Sequence, residues 1–283
     1  MKKTAWITGT GGLIGSHLLR TADTLAPDWQ VIGLNRQRLD LTDFATVRRR
    51  FGDDCPDLVI HCAAMSHSPQ CEREPDLAQK VNVDVTAFLA DLFADRRMVF
   101  FSTDLVFNGR KGHYTEADTP DPLGIYARTK AEAEAAVLKL PNHLVIRTSL
   151  NGGISPTRNR GFNEALELAW SQGKRTRLFA DEFRCPIAAP VTARATLELA
   201  LSDASGLYHV AGAERLSRLQ IGELLAARHP ELNPMIEASS LKDYKGPPRA
   251  PDCSLNCDKV RSVLSFPLPG LADWLAANPD ELF

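Results

Sequence analysis

The chain has 283 residues, 44% of them hydrophobic, which is enough apolar material for a sizeable core and argues against disorder. Its 33 basic and 35 acidic residues give a formal charge of −2 and are scattered rather than blocked, leaving no electrostatic footprint for nucleic acid or an anionic membrane. A small-molecule partner is the default that remains, for one large α/β domain or one domain with a smaller lobe.

The opening MKKTAWITGTGGLIG places two lysines before a short apolar run and so imitates a signal peptide, but glycines interrupt the run and no small-residue cleavage site follows. It reads as the first strand, Ala5–Thr8, of a cytoplasmic protein, and no apolar stretch approaches the length of a bilayer span. The strand runs into Thr8-Gly9-Thr10-Gly11-Gly12-Leu13-Ile14-Gly15 and then into an apolar-periodic helix from Leu13 to about Leu25. Gly9, Gly12 and Gly15 allow a tight turn and close backbone approach. The helix then aims the N–H groups of its first turn, at Leu13 and Ile14 as well, at a pyrophosphate. The position in a first strand-to-helix unit favours a dinucleotide over a bare structural turn.

The second strand, Val31–Leu34, ends in Asn35-Arg36-Gln37-Arg38, with no acid before Asp40-Leu41. A carboxylate at the strand end would hold the ribose 2′-hydroxyl of NAD, whereas a guanidinium suits a 2′-phosphate. NADP(H) is therefore preferred and NAD(H) stays possible, with Asn35, Arg36, Asp40 and Leu41 as the adenosine-side candidates. A helix Phe44–Phe51, a strand Leu58–His61, a helix Leu77–Ala94 and a strand Met98–Ser102 continue the alternation, which is the mark of a parallel sheet.

At the end of that strand Phe100-Phe101-Ser102-Thr103-Asp104 turns from apolar residues to hydroxyls, where an open α/β sheet keeps its ligand crevice. The next helix, Tyr126–Leu140, opens with Tyr126 and Lys130 one turn apart on one face. A phenol ionises near pH 10, too high for neutral proton transfer unless a nearby ammonium favours the phenolate. Each residue has an ordinary alternative, as helix surface or polar strand end; the ordered set, following the glycine turn, points to carbonyl reduction.

After the strand Leu144–Arg147 the regularity falls. The expected elements are a helix Phe162–Gln172, a strand Leu178–Ala180, a helix Thr192–Leu201, a strand Leu207–Val210 and a helix Leu219–Arg228, then the proline-rich KGPPRAPDC. The fold class is a Rossmann-like doubly wound parallel sheet with a smaller C-terminal substrate-binding lobe. Residues 1–149 form the NAD(P)-binding domain, segments near 176–210 return to it, and 150–175 and 211–283 build mainly the lobe. Six cysteines lack paired spacing and are expected as reduced thiols; Cys253 and Cys257 can share a helix face but make a weak metal case. No metal is expected, and His61, His67 and His209 suit packing or surface roles.

The ordered set TGxxGxxG, His61-Cys62-Ala63-Ala64, Ser-Thr-Asp and Tyr-x-x-x-Lys resembles the extended short-chain dehydrogenase/reductases. Within them FSTDLVFNG, PLGIYARTKAEAE, IRTS, GLYHVAG and RAPDCSLNC are most similar to the dTDP-4-dehydrorhamnose reductase family. The resemblance implies an NADPH-dependent reductase of a 4-keto sugar nucleotide. Its catalytic trio would be Thr103, Tyr126 and Lys130, with Tyr126 as proton donor and Lys130 also on the nicotinamide ribose. Cofactor roles are implied for Cys62, Ala63, Ala64, Asn82, Ser102 and Thr148, and substrate roles for Asp104 and Arg249. Arg249 can clamp a diphosphate or be an exposed loop cation, whereas Arg147 suits a structural place at its strand end.

The chain departs from the family pattern at Leu105, where an aromatic is usual, at Ser68-Pro69 in place of Val-Asp, and at Leu150 in place of tryptophan. All three bear on the sugar rather than on the fold. Two other functions stay open: a sugar-nucleotide epimerase or dehydratase, and a non-catalytic regulator resembling the methionine adenosyltransferase beta subunit. A homodimer is possible because related proteins pair.

Overall fold

The computed structural model describes residues 2–281 and 283. Strands β1 (Lys3–Thr8), β2 (Trp29–Leu34), β3 (Leu58–His61), β4 (Arg97–Thr103) and β5 (Leu144–Thr148), with the strand Gly206–Val210, form one parallel sheet. The order from one edge is β2, β1, β3, β4, β5 and Gly206–Val210. All four residues of β3 and all five of β5 are buried, as strands covered by helices on both faces must be. The chain leaves β1 towards β2 and then crosses to β3 on the other side. This reversal opens a crevice beyond the carboxyl ends of β1 and β3.

On one face lie α1 (Leu13–Leu25) and the helix Ala189–Ala200, burying Leu18, Ala22, Ala193 and Leu197 against Ile7, Ile60 and Ile146. On the other, α2 (Phe44–Asp54), the Val85–Leu92 segment and the helix Ile125–Val137 bury Val47, Leu89 and Val137 against Trp6, Val59 and Phe100. Asp43 caps α2 by accepting from the Thr46 amide at 3.1 Å. A third cluster, with Leu166, Trp170, Leu178, Ile221, Leu225 and Trp274, is the core of the smaller lobe.

The expected strands and long helices fall within a few residues of their observed places, with differences that have physical causes. The segment read as one helix over 77–94 runs as Pro75–Gln79, a π turn Lys80–Asp84 and Val85–Leu92. The wide turn surrounds Asn82, whose carbonyl accepts from the Thr86 hydroxyl at 2.7 Å. The strand near 178 is Thr176–Phe179, and it pairs with Ile236–Ser239 in the lobe rather than with the main sheet. Within 176–210 it is Gly206–Val210 that joins the sheet.

Cys253 and Cys257 do not share a helix. Bridges from Asp252 to Phe183 and from Leu255 to Tyr114 hold that segment extended, and the short helix Asp258–Arg261 begins beyond it. Burial pushes both thiols up to about 12. Among the described residues no group of three or more His, Cys, Asp or Glu side chains could hold a metal ion. No described helix is long and apolar enough to cross a membrane.

Candidate active site

The glycine turn stands at the crevice mouth. Gly9 has φ +71°, and a Cβ on it would lie 2.7 Å from the Ala63 nitrogen, so strand-to-strand approach as well as backbone conformation requires glycine. A Cβ on Gly15 would overlap the Gly9 carbonyl, while one on Gly11 would meet only Asn35 Cβ, at 3.9 Å. Gly12 donates to the Gly9 carbonyl at 2.9 Å, and the amides of Leu13, Ile14 and Gly15 find no acceptor among the described residues. These orphan donors, in the first turn of a 13-residue helix, fit a pyrophosphate.

A relay of uncharged side chains ties this turn to the helix that carries Tyr126. The Thr8 hydroxyl accepts from the amides of Cys62 and Ala63, both at 3.2 Å, and meets His61 Nδ1 at 2.8 Å. His61 Nε2 lies 3.2 Å from the Thr86 hydroxyl, which itself donates to the Asn82 carbonyl. That order requires Nε2–H as the protonated nitrogen. Burial, and then the Lys130 charge, push His61 down to about 3, so it stays neutral. The Asn82 amide group donates to the Met65 carbonyl at 3.1 Å and to the Thr129 hydroxyl at 3.0 Å, and its oxygen accepts from the Met65 amide at 2.8 Å. Asn82, expected near the cofactor, fixes the loop after β3 to the Tyr126 helix.

At the end of β2, the Asn35 side chain accepts from the amides of Gln37 and Arg38 at 3.1 and 3.0 Å and closes the turn. Asp40 is occupied by the Thr42 amide and hydroxyl, whose hydrogen bonds hold its carboxyl below the usual range. Arg36 is exposed and has no ion-pair partner among the described residues. Leu41 is half-buried against the core.

Thr103 ends β4, in register with Thr148 of β5. Its hydroxyl donates to Asp104 Oδ1 and accepts from the Leu105 amide, both at 3.2 Å. Tyr126 is the second residue of its helix, whose opening amide, at Ile125, donates to Glu72 at 2.7 Å. Burial pushes the Tyr126 phenol up, the Asp104 charge adds to this, and the Thr103 hydroxyl partly offsets it. Lys130 is 3% exposed, and its ammonium lies over the Phe100 ring, 3.9 Å from the centroid. Burial brings it down to about 7, so the ammonium is itself only partly maintained at neutral pH.

Beside the trio, Ser102 Oγ is buried with no hydrogen-bond partner, an unmet polar atom at the crevice end of β4. Thr148 Oγ accepts from Asn151 at 2.9 Å. Cys62, Ala63 and Ala64, all half-buried, follow β3 at the same end of the sheet. The glycine cradle, the free amides and Ser102 together fit a dinucleotide.

Asp104 opens towards the lobe. Ser149 donates to it at 2.6 Å and Arg184 Nε lies 3.7 Å away; burial pushes its carboxyl up against these partners. Arg249 is neither a free loop cation nor empty-handed, because it grips Glu182 through Nε at 2.6 Å and Nη2 at 3.0 Å. Arg147 pairs with buried Glu134 at 2.7 Å and keeps the structural place expected for it. Leu105 and Leu150 pack on hydrophobic clusters, while Ser68 and Pro69 open the short helix Ser68–Arg73 that brings Glu72 to the Tyr126 helix. Sequence reasoning missed Glu72, Ser149, Glu182, Arg184 and Arg218. The local signal was the charged run Asp181, Glu182 and Arg184 around Phe183, between Leu178-Phe179-Ala180 and Cys185-Pro186-Ile187.

The profile of the family described as the RmlD substrate binding domain matches residues 3–280. A probable low-salt glycan biosynthesis reductase, Agl14, of Haloferax volcanii is 32% identical over 96% of each chain. A dTDP-4-dehydrorhamnose reductase of Sinorhizobium fredii is 29% identical over 93% of this chain and 92% of that protein. The crystal structure of a dTDP-4-dehydrorhamnose reductase from Bacillus anthracis in complex with NADP superposes with a TM-score of 0.89 over 98% of each chain; at 22% identity that likeness is one of fold.

Proposed function

The chain belongs to the RmlD substrate binding domain family, and from that premise we propose that it is an NADPH-dependent reductase of a 4-keto sugar nucleotide. The observation that carries this reading is that Ser102, with its unmet hydroxyl, and Thr103, whose hydroxyl acts on the Tyr126 phenol, end β4 at the same end of the sheet as a glycine turn with free amides. The cofactor, when bound, supplies a hydride to the carbonyl carbon. The free amides of Leu13, Ile14 and Gly15 would hold its pyrophosphate, and Arg36, exposed at the end of β2, would take the 2′-phosphate. Cys62, Ala63, Ala64 and Thr148 line its remaining length. The NADP of the Bacillus anthracis relative supports the same choice.

Thr103 positions the substrate carbonyl by hydrogen bonding. Tyr126, kept protonated by burial, donates its phenolic proton to the carbonyl oxygen as charge develops there. Lys130, lacking a hydrogen bond among the described residues, offers its ammonium to the ribose and to the phenolate left after transfer. Residues 1–149 with Gly206–Val210 are assigned to the cofactor and the lobe to the substrate. A homodimer, as in related proteins, and a cytoplasmic location complete the reading; light scattering tests the first.

The test is to follow NADPH oxidation with a panel of nucleotide-linked 4-keto sugars, with NADH and Tyr126→Phe in parallel. Oxidation that depends on one sugar and on Tyr126 is the expected result. Cofactor binding without turnover across the panel would favour a regulatory role instead.

A further inference from the structure

Tyr126, Lys130 and Glu134 follow one another at four-residue steps along the helix Ile125–Val137 and so share one face of it. The reaction uses the first two. Glu134 is 2% exposed, as sequestered as Lys130 at 3%, and a carboxylate taken that far from water needs a partner.

The partner is Arg147 of β5, which donates to it through Nε at 2.9 Å and Nη2 at 2.7 Å in a two-pronged grip. The guanidinium is itself fixed on two further sides. Its carbon lies 4.9 Å from the Phe107 ring centroid, and Nη1 meets His209 Nε2 at 3.5 Å. His209 Nδ1 faces the Tyr114 and Asn256 carbonyls, both at 3.1 Å, so Nδ1 carries the proton and Nε2 is left to accept from Arg147. Burial pushes this imidazole down to about 4, which keeps it neutral. Glu134 is thereby held in one orientation.

The sheet sets this pair on the same side as Lys130. β4 and β5 match Phe100 with Val145 and Ser102 with Arg147, and alternate residues of a strand share a face. Phe100, Ser102 and Arg147 thus point towards the Tyr126 helix, where the Lys130 ammonium rests on the Phe100 ring. On this side β3 supplies His61 and Cys62, β4 supplies Phe100 and Ser102, β5 supplies Arg147, and the helix itself supplies Tyr126 and Glu134. The segments Ser68–Arg73 and 75–92 pack on the same helix, and their charged residues are all exposed.

His61 is neutral, and burial pushes the Cys62 thiol and the Tyr126 phenol up, so both keep their protons at neutral pH. Of the groups on this side, Glu134 alone is an anion. Its charge supports the ammonium against burial, although the two make no direct ion pair among the described residues. Away from water an opposite charge acts beyond contact distance. With Glu134 neutral, this face would hold two buried basic groups, Lys130 and Arg147, and no anion.

We propose that Glu134 is a positioning residue for the reaction, the counter-charge that keeps Lys130 an ammonium on the Phe100 ring, with Arg147 locking it in place. The charged fraction of Lys130 at neutral pH then depends on a residue that touches neither cofactor nor substrate. What the counter-charge does for turnover rests on the reductase reading, but the charge itself can be tested without substrate.

The measurement is the titration of Lys130 in the full chain, followed by the Cε and Nζ chemical shifts of isotopically labelled protein, with Lys130→Met for assignment. The wild type is expected to titrate at about 7. Glu134→Gln should bring that midpoint down by about one pH unit or more, and Glu134→Asp, which keeps the charge, should stay nearer the wild type. The double variant Glu134→Leu with Arg147→Met removes both charges without leaving an unpaired ion in the core, and should keep the lowered midpoint. In turnover, kcat/KM of Glu134→Gln should begin its fall with rising pH about one unit earlier than that of the wild type. Thermal unfolding checks each fold; should Glu134→Gln fail, the double variant decides. An unmoved midpoint in folded Glu134→Gln would overturn the counter-charge. So would a wild-type midpoint in the double variant, since Glu134 would then only neutralise Arg147. A lowered midpoint without NADPH oxidation on any 4-keto sugar would leave the counter-charge standing and remove the reductase reading. Turnover with an unmoved midpoint would do the reverse.

Discussion

The two ends of the crevice are made of different material. The cofactor end is backbone: glycines that admit a neighbouring strand, amides without acceptors, and small residues after β3. The lobe end is side chain: a buried carboxylate and arginines from three segments far apart in the chain. A site built from backbone must be written in a few consecutive residues, because each amide is fixed by its immediate neighbours. A site built from long side chains can draw on any segment that the fold brings near.

The contrast can be broken most sharply at the reacting group. Tyr126→Phe should lower kcat by roughly 10²–10⁴-fold with NADPH affinity nearly intact, as stopped-flow turnover and cofactor fluorescence would read. Loss of both together would make the tyrosine a structural residue. Next is Gly9→Ala, where a strained positive φ and contact with the Ala63 backbone should weaken NADPH by about a hundredfold. Gly11→Ala, whose Cβ would make only an ordinary contact with Asn35, serves as its control and should change binding by less than about twofold. An equal effect at both glycines would mean that flexibility, rather than close approach, makes the turn.

Arg36→Ala should cost about tenfold in NADPH affinity and leave NADH unaffected, which binding titrations of both cofactors would resolve. A further effect concerns pH. Lys130 is lowered to about 7 in the folded chain from the 10.5 of an ordinary lysine, so between these values the unfolded chain binds more protons. Stability contributed through this group therefore rises with pH from about 7 to about 10.5. In thermal unfolding, the wild type should gain on Lys130→Met across that window; parallel curves would show that the ammonium is not held in an unfavourable place.

The same division explains what could be read from the sequence. Thr8 to Gly15, the end of β2, Ser102-Thr103 and Tyr126-Lys130 are local patterns, and the structure brings them to one end of one sheet. Their register follows from apolar runs that only a covered parallel strand can bury. Glu182 and Arg218, 36 positions apart, were not legible, because nothing in either neighbourhood marks the partner. Asn82 was legible as a polar residue near the site, yet its commitment to Met65 and Thr129 depends on a π turn that apolar periodicity does not encode. The Tyr126–Lys130 spacing put both residues on one face, but the Phe100 ring beneath decides where the ammonium goes.

The neutral relay from Thr8 through His61, Thr86 and Asn82 to Thr129 bears on protein engineering. Thr129 donates to the Tyr126 carbonyl at 2.8 Å, so the helix that presents the phenol is registered against a strand more than a hundred positions earlier. Grafting the tyrosine and lysine onto another nucleotide-binding scaffold would carry the chemistry without its alignment. The portable unit is the helix together with Thr8, His61, Thr86 and Asn82, and a transplant that omits them would place a correct pair of residues in an unguided position.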